Sequence, residues 1–235
     1  MKENTNNLIE KIIDEITPDH VMFLINAIYF KGVWTYRFDP AHTQNDFFTT
    51  GNGTTQSCRM MHLTGDLRYF DNAAFQAIDL PYGDAGFSMT ILLPRAGIQI
   101  DSLIAALTPE NWVSWMAGFS TQKVELAMPK FTTQYEIKLN DVLAALGMGV
   151  AFTDQADFSR MFKPGGLAID EVKHKTFVKV DEEGTEAAAV TSVGIVPTSL
   201  PQIISMRIDH PFIFVIRENR SQTMLFIGKI AVPGQ

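Results

Sequence analysis

Hydrophobic positions recur along the chain in two rhythms. Leu8, Ile9, Ile12, Ile13 and Ile16 fall on one face at spacings of one and four, which predicts a helix ended by Thr17-Pro18-Asp19. The β-prone run from Val21 to Phe30, interrupted by Asn26, closes at Lys31-Gly32 and predicts a strand buried on both faces. A strand-rich stretch comes next: Phe47 to Thr50, the turn Gly51-Asn52-Gly53, then Thr54 to Leu63, Leu67 to Phe70, Phe75 to Leu80 and Phe87 to Leu93. Pro81-Tyr82-Gly83 and Pro94-Arg95-Ala96-Gly97 punctuate it. Two short helices are expected after it, one with Asp101 as N-cap, the other with Thr108 as N-cap and Pro109 at its first position. Lys123 to Met128 alternates as a strand, and Leu139, Val142, Leu143 and Leu146 make a helix that stops at Gly147.

Alternation returns between Ala168 and Val180. Val172, His174, Thr176, Val178 and Val180 share one face; Lys173, Lys175, Phe177 and Lys179 share the other. Phe212 to Ile216 and Met224 to Ile230 flank the polar tip Arg217-Glu218-Asn219-Arg220-Ser221 and predict a hairpin of core strands. Strands outnumber helices in mixed order, without internal repeat, low-complexity tract or linker, so the class is α+β. Composition narrows the class further. The 235 residues are 46% hydrophobic and 19% charged, which excludes a disordered chain, and the core needs no disulfide for the single Cys58 to join. Net charge is −7 and no basic run exceeds two residues, so no nucleic-acid surface is expected. No apolar stretch is long enough for a membrane-spanning helix, and no signal peptide opens the sequence.

Catalytic chemistry finds no support. No phosphate-binding loop ends in Lys-Ser/Thr, and Gly86-Phe87-Ser88-Met89-Thr90 lacks the second glycine of a nucleophile elbow. His20, His42, His62, His174 and His210 are scattered and form no ligand pair, so neither metal nor cofactor is expected. Cys58, near Met60 and Met61 in a strand, reads as a buried small hydrophobe. His174, on an apolar strand face, reads as a core histidine with a satisfied hydrogen bond.

The most informative stretch runs from Asp181 to Pro201. Between Thr185 and Val196 there is one charge and no proline. Thr185, Ala187, Ala189, Thr191, Val193 and Ile195 form one small or apolar face, and Glu186 lies on the other. The pattern is that of a strand with one buried side, yet the small residues and the flanks read as a long exposed loop. Two readings stand side by side: an ordinary strand or Ala-rich helical turn, and a segment with both loop and strand states.

Four motifs in order then resemble the serpins, the serine protease inhibitor family. Asn26-Ala27-Ile28-Tyr29-Phe30-Lys31-Gly32-x-Trp34 with Phe38-Asp39-Pro40 is similar to the family's central motif, and Glu182-Glu183-Gly184-Thr185-Glu186-Ala187-Ala188-Ala189 to the hinge of its reactive-centre loop. His210-Pro211-Phe212-Ile213-Phe214 and Leu225 to Pro233 resemble its C-terminal strands. The resemblance implies that Val21–Phe30, Ala168–Val180 and Lys123–Met128 are the third, fifth and sixth strands of a large central sheet. The loop, about 184–205, would supply the fourth after cleavage. Asn26 and His174 match the shutter pair bridging the third and fifth strands, which turns His174 into a polar latch. Trp34 matches the breach, and Glu182 the acid at the loop base, with Lys130 as its candidate ion-pair partner.

The same resemblance implies a protease inhibitor, not an enzyme, whose partner is a serine protease held as a covalent acyl complex. Family loop spacing from Glu182 places the reactive bond at Thr198-Ser199. Small, uncharged Thr198 disfavours a trypsin-like target and fits an elastase-like or subtilisin-like one. Alternatives are a non-inhibitory carrier or chaperone and an inactive truncated fragment. The family carries further N-terminal helices and two further strands before the motif at Asn26. The chain is therefore expected to be a single partial domain over 1–235, lacking that segment as a partner, and secreted or extracellular in its full-length form.

Overall fold

A computed structural model of the chain describes Thr5, Ile9, residues 11–13, Ile16, residues 20–185 and residues 203–234. Its strands are β1 (Phe23–Tyr29), β2 (Gly32–Val33), β3 (Gln44–Thr49), β4 (Thr55–Asp71), β5 (Phe75–Tyr82), β6 (Phe87–Pro94), β7 (Ser120–Pro129), β8 (Phe131–Lys138), β9 (Glu171–Val180), β10 (Gly184–Thr185), β11 (Ile204–Arg207), β12 (Phe212–Glu218) and β13 (Met224–Ile230). Its α-helices are α1 (Ile100–Ala105), α2 (Pro109–Gly118) and α3 (Asn140–Leu143). Contacts divide the chain into two compact units, residues 1–30 with 133–178, and residues 31–132 with 179–235.

The first unit holds a sheet with the order β1-β9-β8. β1 and β9 run parallel, Phe23 opposite Glu171 through Tyr29 opposite Phe177. A carboxylate fastens the start of this ladder: Asp170 Oδ2 accepts from the backbone N–H of Val21 and of Met22, each at 2.7 Å. The expected period-two face of β9 is present, with Val172 and Val178 buried. β1 departs from expectation. Leu24 and Ile25 on its two faces are each 39% exposed, so the strand is not buried on both sides. α3 runs on into a wider helical turn, Ala144–Met148, and the helical backbone breaks at Gly147 as expected, where φ of 101° suits a residue without a Cβ. Of the expected N-terminal helix, the described residues Ile9, 11–13 and Ile16 are not helical, although Ile9 and Ile12 are buried.

The second unit is built on an eight-stranded sheet, order β11-β7-β4-β5-β6-β12-β13, with β3 paired to β4. Two expected strands are one: β4 continues through Gly65, which sits opposite Val124 in an unbroken antiparallel ladder from Met60–Pro129 to Tyr69–Ser120. That ladder also corrects the sixth strand of the β1-β9 sheet. Lys123–Met128 belongs to β7 beside β4, and the third strand of the smaller sheet is instead β8, Phe131–Lys138. Alternation identifies Lys123–Met128 as a strand but cannot identify its neighbour. α2 starts as expected, Thr108 Oγ1 accepting from Asn111 N at 3.3 Å, whereas α1 begins two residues early, with Gln99 rather than Asp101 as its N-cap. α1 and α2 cover an apolar cluster of Phe75, Ala77, Leu92, Leu103, Trp112, Ile213 and Val215.

Arg217 is not part of an exposed hairpin tip. It lies in β12 with only 2% of its side chain exposed, against 3% for Asp79 of β5. Its Nη2 donates to both Asp79 oxygens at 3.0 and 2.9 Å, and Thr90 of β6 donates to Asp79 Oδ1 at 2.7 Å. Burying this pair is justified only by satisfaction of the charges; Asp79 keeps a longer contact to half-exposed Arg68 at 3.4 Å, but removing Arg217 takes away its one buried counter-charge. Arg217→Met is expected to lower the unfolding free energy by about 3–5 kcal/mol. The double change Asp79→Leu with Arg217→Met should recover most of that loss. Urea unfolding curves check it, and a single substitution costing under about 1 kcal/mol would contradict the assignment.

Candidate functional site

The segment following β9 is held by backbone pairing. β10 runs antiparallel to β2, with Gly184 opposite Val33 and Thr185 opposite Gly32. Gly184 has φ of 139°, and a Cβ there would lie 2.2 Å from Gly32 O and 2.7 Å from Val33 Cα. Any side chain at Gly184 would force the two segments apart. Three further bonds tie the same stretch down: Trp34 N donates to Glu183 O at 2.9 Å, Phe38 N to Glu182 O at 3.1 Å, and Trp34 Nε1 to Asp181 O at 2.9 Å. The indole is 3% exposed and stacks on Tyr82 with centroids 4.3 Å apart and planes 12° from parallel. A stacked aromatic with its one donor engaged is rigid.

Beside it, Glu182 enters the interior. Its Oε2 accepts from Lys130 Nζ at 2.6 Å and its Oε1 from Thr43 Oγ1 at 2.8 Å. Burial pushes the carboxyl pKa up, but the hydrogen bonds from Lys130 and Thr43 and the nearby ammonium outweigh it, so the net shift is downward. Glu182 is therefore a carboxylate at neutral pH. The arrangement spends its one hydroxyl, Thr43, and its one ammonium, Lys130, on holding the Glu182 carboxylate, so what it does is fasten a chain segment. Among the described residues no three His, Cys, Asp or Glu side chains form a metal-binding group.

The sequence-predicted residues fall into two sets. Trp34, Lys130, Glu182 and Gly184 converge as described. Asn26 and His174 lie directly opposite each other in the β1–β9 register. Glu186, Ala187, Ala188, Ala189, Thr198 and Ser199 lie outside the described residues, as does the side chain of Thr185. Thr43 and Tyr82 are partners that the sequence does not reveal, because single residues after turns carry no periodic signal. Asp170 could have been sought as an acid directly before a strand.

A family model described as serpin (serine protease inhibitor) matches residues 1–233. The chain belongs to the serpin family. It is 36% identical to Iripin-2 of Ixodes ricinus, across 98% of this chain and 59% of that one. An uncharacterized serpin-like protein of Thermococcus kodakarensis is 38% identical, across 99% of this chain and 55% of its own length. Among solved structures, the thermophilic serpin tengpin in its native state superimposes with a TM-score of 0.87 at 35% identity, covering 98% of this chain and 60% of that one. Thyroxine-binding globulin in complex with thyroxine gives 0.88 at 27% identity, covering 100% of this chain and 62% of that one. The chain thus spans less than two thirds of the serpins it matches. Serpins are a family of inhibitors rather than enzymes.

The Glu182 pair fixes a pH dependence. Because the folded carboxyl titrates below its unfolded value of about 4.3, its stabilisation is present above that value and is lost as pH falls through the folded pKa. Lys130→Met should cost roughly 1–3 kcal/mol at pH 7, since it strips a mostly buried carboxylate of its ammonium. That cost should shrink as pH drops below about 4. Thermal unfolding of both forms between pH 3 and 7 measures it, and a pH-independent difference would show that the ion pair is not its origin.

Proposed function

We propose that this serpin chain inhibits a serine endopeptidase as a suicide substrate, with the segment after Gly184 as its bait. The observation that carries the reading is the hinge itself: Gly184–Thr185 is already paired to β2 where the small-faced segment of residues 185–196 begins. The protease serine attacks the Thr198 carbonyl. The Thr198–Ser199 amide bond breaks, an ester to the protease serine forms, and the Ser199 amine departs with a proton. The freed segment then inserts between β1 and β9. Its alternating small face supports this, because a charge at an inward position would be buried unpaired. Twelve residues as a strand reach about 40 Å. At about 1 kcal/mol per new ladder position, insertion yields on the order of 10 kcal/mol, comparable to the stability of a whole domain. That is enough to distort an attached protease before it deacylates.

The target is an elastase-like or subtilisin-like enzyme, matched to Ile195-Val196-Pro197-Thr198. Mixing the chain with an elastase should give an SDS-resistant band at the summed mass of inhibitor and protease. Clean cleavage without that band argues against inhibition. Thr185→Arg places a charge on the inserting face and is expected to convert inhibitor into substrate, with cleavage retained and the complex lost. Melting before and after loop cleavage separates this from a carrier role, because insertion raises the melting temperature markedly and a carrier without insertion shows no rise.

A further inference from the structure

Next to the Glu182 pair lies a pocket of about 400 Å³ whose lining residues all belong to the second unit. Its floor is apolar and buried: Cys58, Phe131, Val180 and Pro233. Burial pushes the Cys58 thiol up from its ordinary value, so the sulfur is a neutral part of that floor. Among the described residues its walls carry three cations, Arg59, Lys130 and Lys179, and no carboxylate. Two of these are already engaged, Lys130 with Glu182 at 2.6 Å and Lys179 with Asp181 at 3.4 Å. Arg59 differs. Its guanidinium donates to Asn45 Oδ1 at 3.0 Å and to the Thr43 carbonyl at 3.1 Å, both neutral, so its charge has no carboxylate partner among the described residues. One end of the pocket is set by a close approach, for a Cβ on Gly234 would lie 2.6 Å from Thr132 O.

An apolar floor of ligand-pocket size beneath an uncompensated guanidinium is complementary to one chemical class, a small organic anion with an apolar body. We propose that the pocket binds an aromatic or medium-chain carboxylate, its anionic head on Arg59 and Lys130 and its body over Cys58, Phe131, Val180 and Pro233. The ligand head and the Glu182 carboxylate then compete for one ammonium, so occupancy loosens the clamp on residue 182. The binding stands independently of the inhibitory reading, and only its consequence for the loop rests on that reading.

Calorimetric titration with 1-naphthoate tests the site, with neutral 1-naphthamide as the shape-matched control. Naphthoate is expected to bind one-to-one with Kd below about 1 mM, and the amide at least about tenfold more weakly. Arg59→Gln, a change at an exposed position, should weaken naphthoate about tenfold or more while leaving the melting temperature unchanged. Glu182→Gln frees Lys130 and should tighten naphthoate severalfold, the reciprocal of the competition. No binding, equal binding of the amide, or undiminished binding by the Arg59 variant overturns the site. Unchanged affinity in the Glu182 variant overturns its coupling to the clamp. Since every readout is binding, a chain that fails to inhibit any protease tests the proposal equally well.

Discussion

A carboxylate taken out of water must be paired, and around Glu182 that requirement organises everything nearby. Lys130 reaches it from the corner between β7 and β8, and Thr43 from the end of the turn that opens at Asp39-Pro40. The backbone carbonyl of the same residue takes the N–H of Phe38, and its neighbour Glu183 takes that of Trp34. Sequence-distant pieces are therefore fixed by one side chain and the peptide units beside it. Gly184 can then sit against Gly32 and Val33 because the preceding residue pair has already set its approach. The ordering matters physically: a short two-residue ladder such as β10–β2 is too small to persist unaided. It persists because a buried ion pair, a fixed indole and a glycine-only backbone contact converge on it.

The larger sheet depends on a second buried charge pair of a different character. Asp79 and Arg217 join β5 to β12 across β6, whose Thr90 shares the bonding. Opening the pair would strip Asp79 of its buried counter-charge and leave it only the longer contact to half-exposed Arg68. The Glu182 pair is less enclosed, its lysine side chain 36% exposed against 2% for Arg217. Water can reach one and not the other. The first can exchange partners with solvent, and the second is sealed into the frame.

Much of this is legible in the residues. Alternation locates β9, apolar runs bounded by turns locate β12, β13 and most of β4 to β6, and the Thr108-Pro109 pair fixes the start of α2. Motif order points to the family, and with it to the pairing of Lys130 with Glu182. The features that escape do so for identifiable reasons. Alternation marks a strand without naming its neighbour, so Lys123–Met128 reads into the wrong sheet, while Phe131–Lys138, with polar Thr132, Thr133 and Gln134, gives no strand signal. A glycine reads as a break, yet Gly65 lies within a ladder whose partners on β7 hold it extended. Arg217 reads as a polar tip because its partner lies 138 positions away. Thr43 and Asp170 act through hydrogen bonds that no local spacing encodes.

The connectivity of the smaller sheet bears directly on whether insertion can be downhill. β1 and β9 are parallel, and the bait segment leaves the C-terminal end of β9 after a five-residue stretch, Asp181 to Thr185. To lie between them it must double back, and it therefore runs antiparallel to both. One parallel ladder, from Phe23–Glu171 to Tyr29–Phe177, would be exchanged for two antiparallel ones. Antiparallel pairing is slightly the more stable per residue. Insertion as proposed would thus gain a whole additional ladder and improve the geometry of the one it replaces. The opposing cost is the opening of the existing ladder, which Asp170 reinforces at its start by holding the N–H groups of Val21 and Met22. Those bonds precede the first paired residues, so separation of Asn26 from His174 can proceed without breaking them. In the proposed mechanism the Asp170 contacts would therefore hold one end of the ladder while the arriving strand enters from the other, and cutting the loop would be what lets that strand arrive.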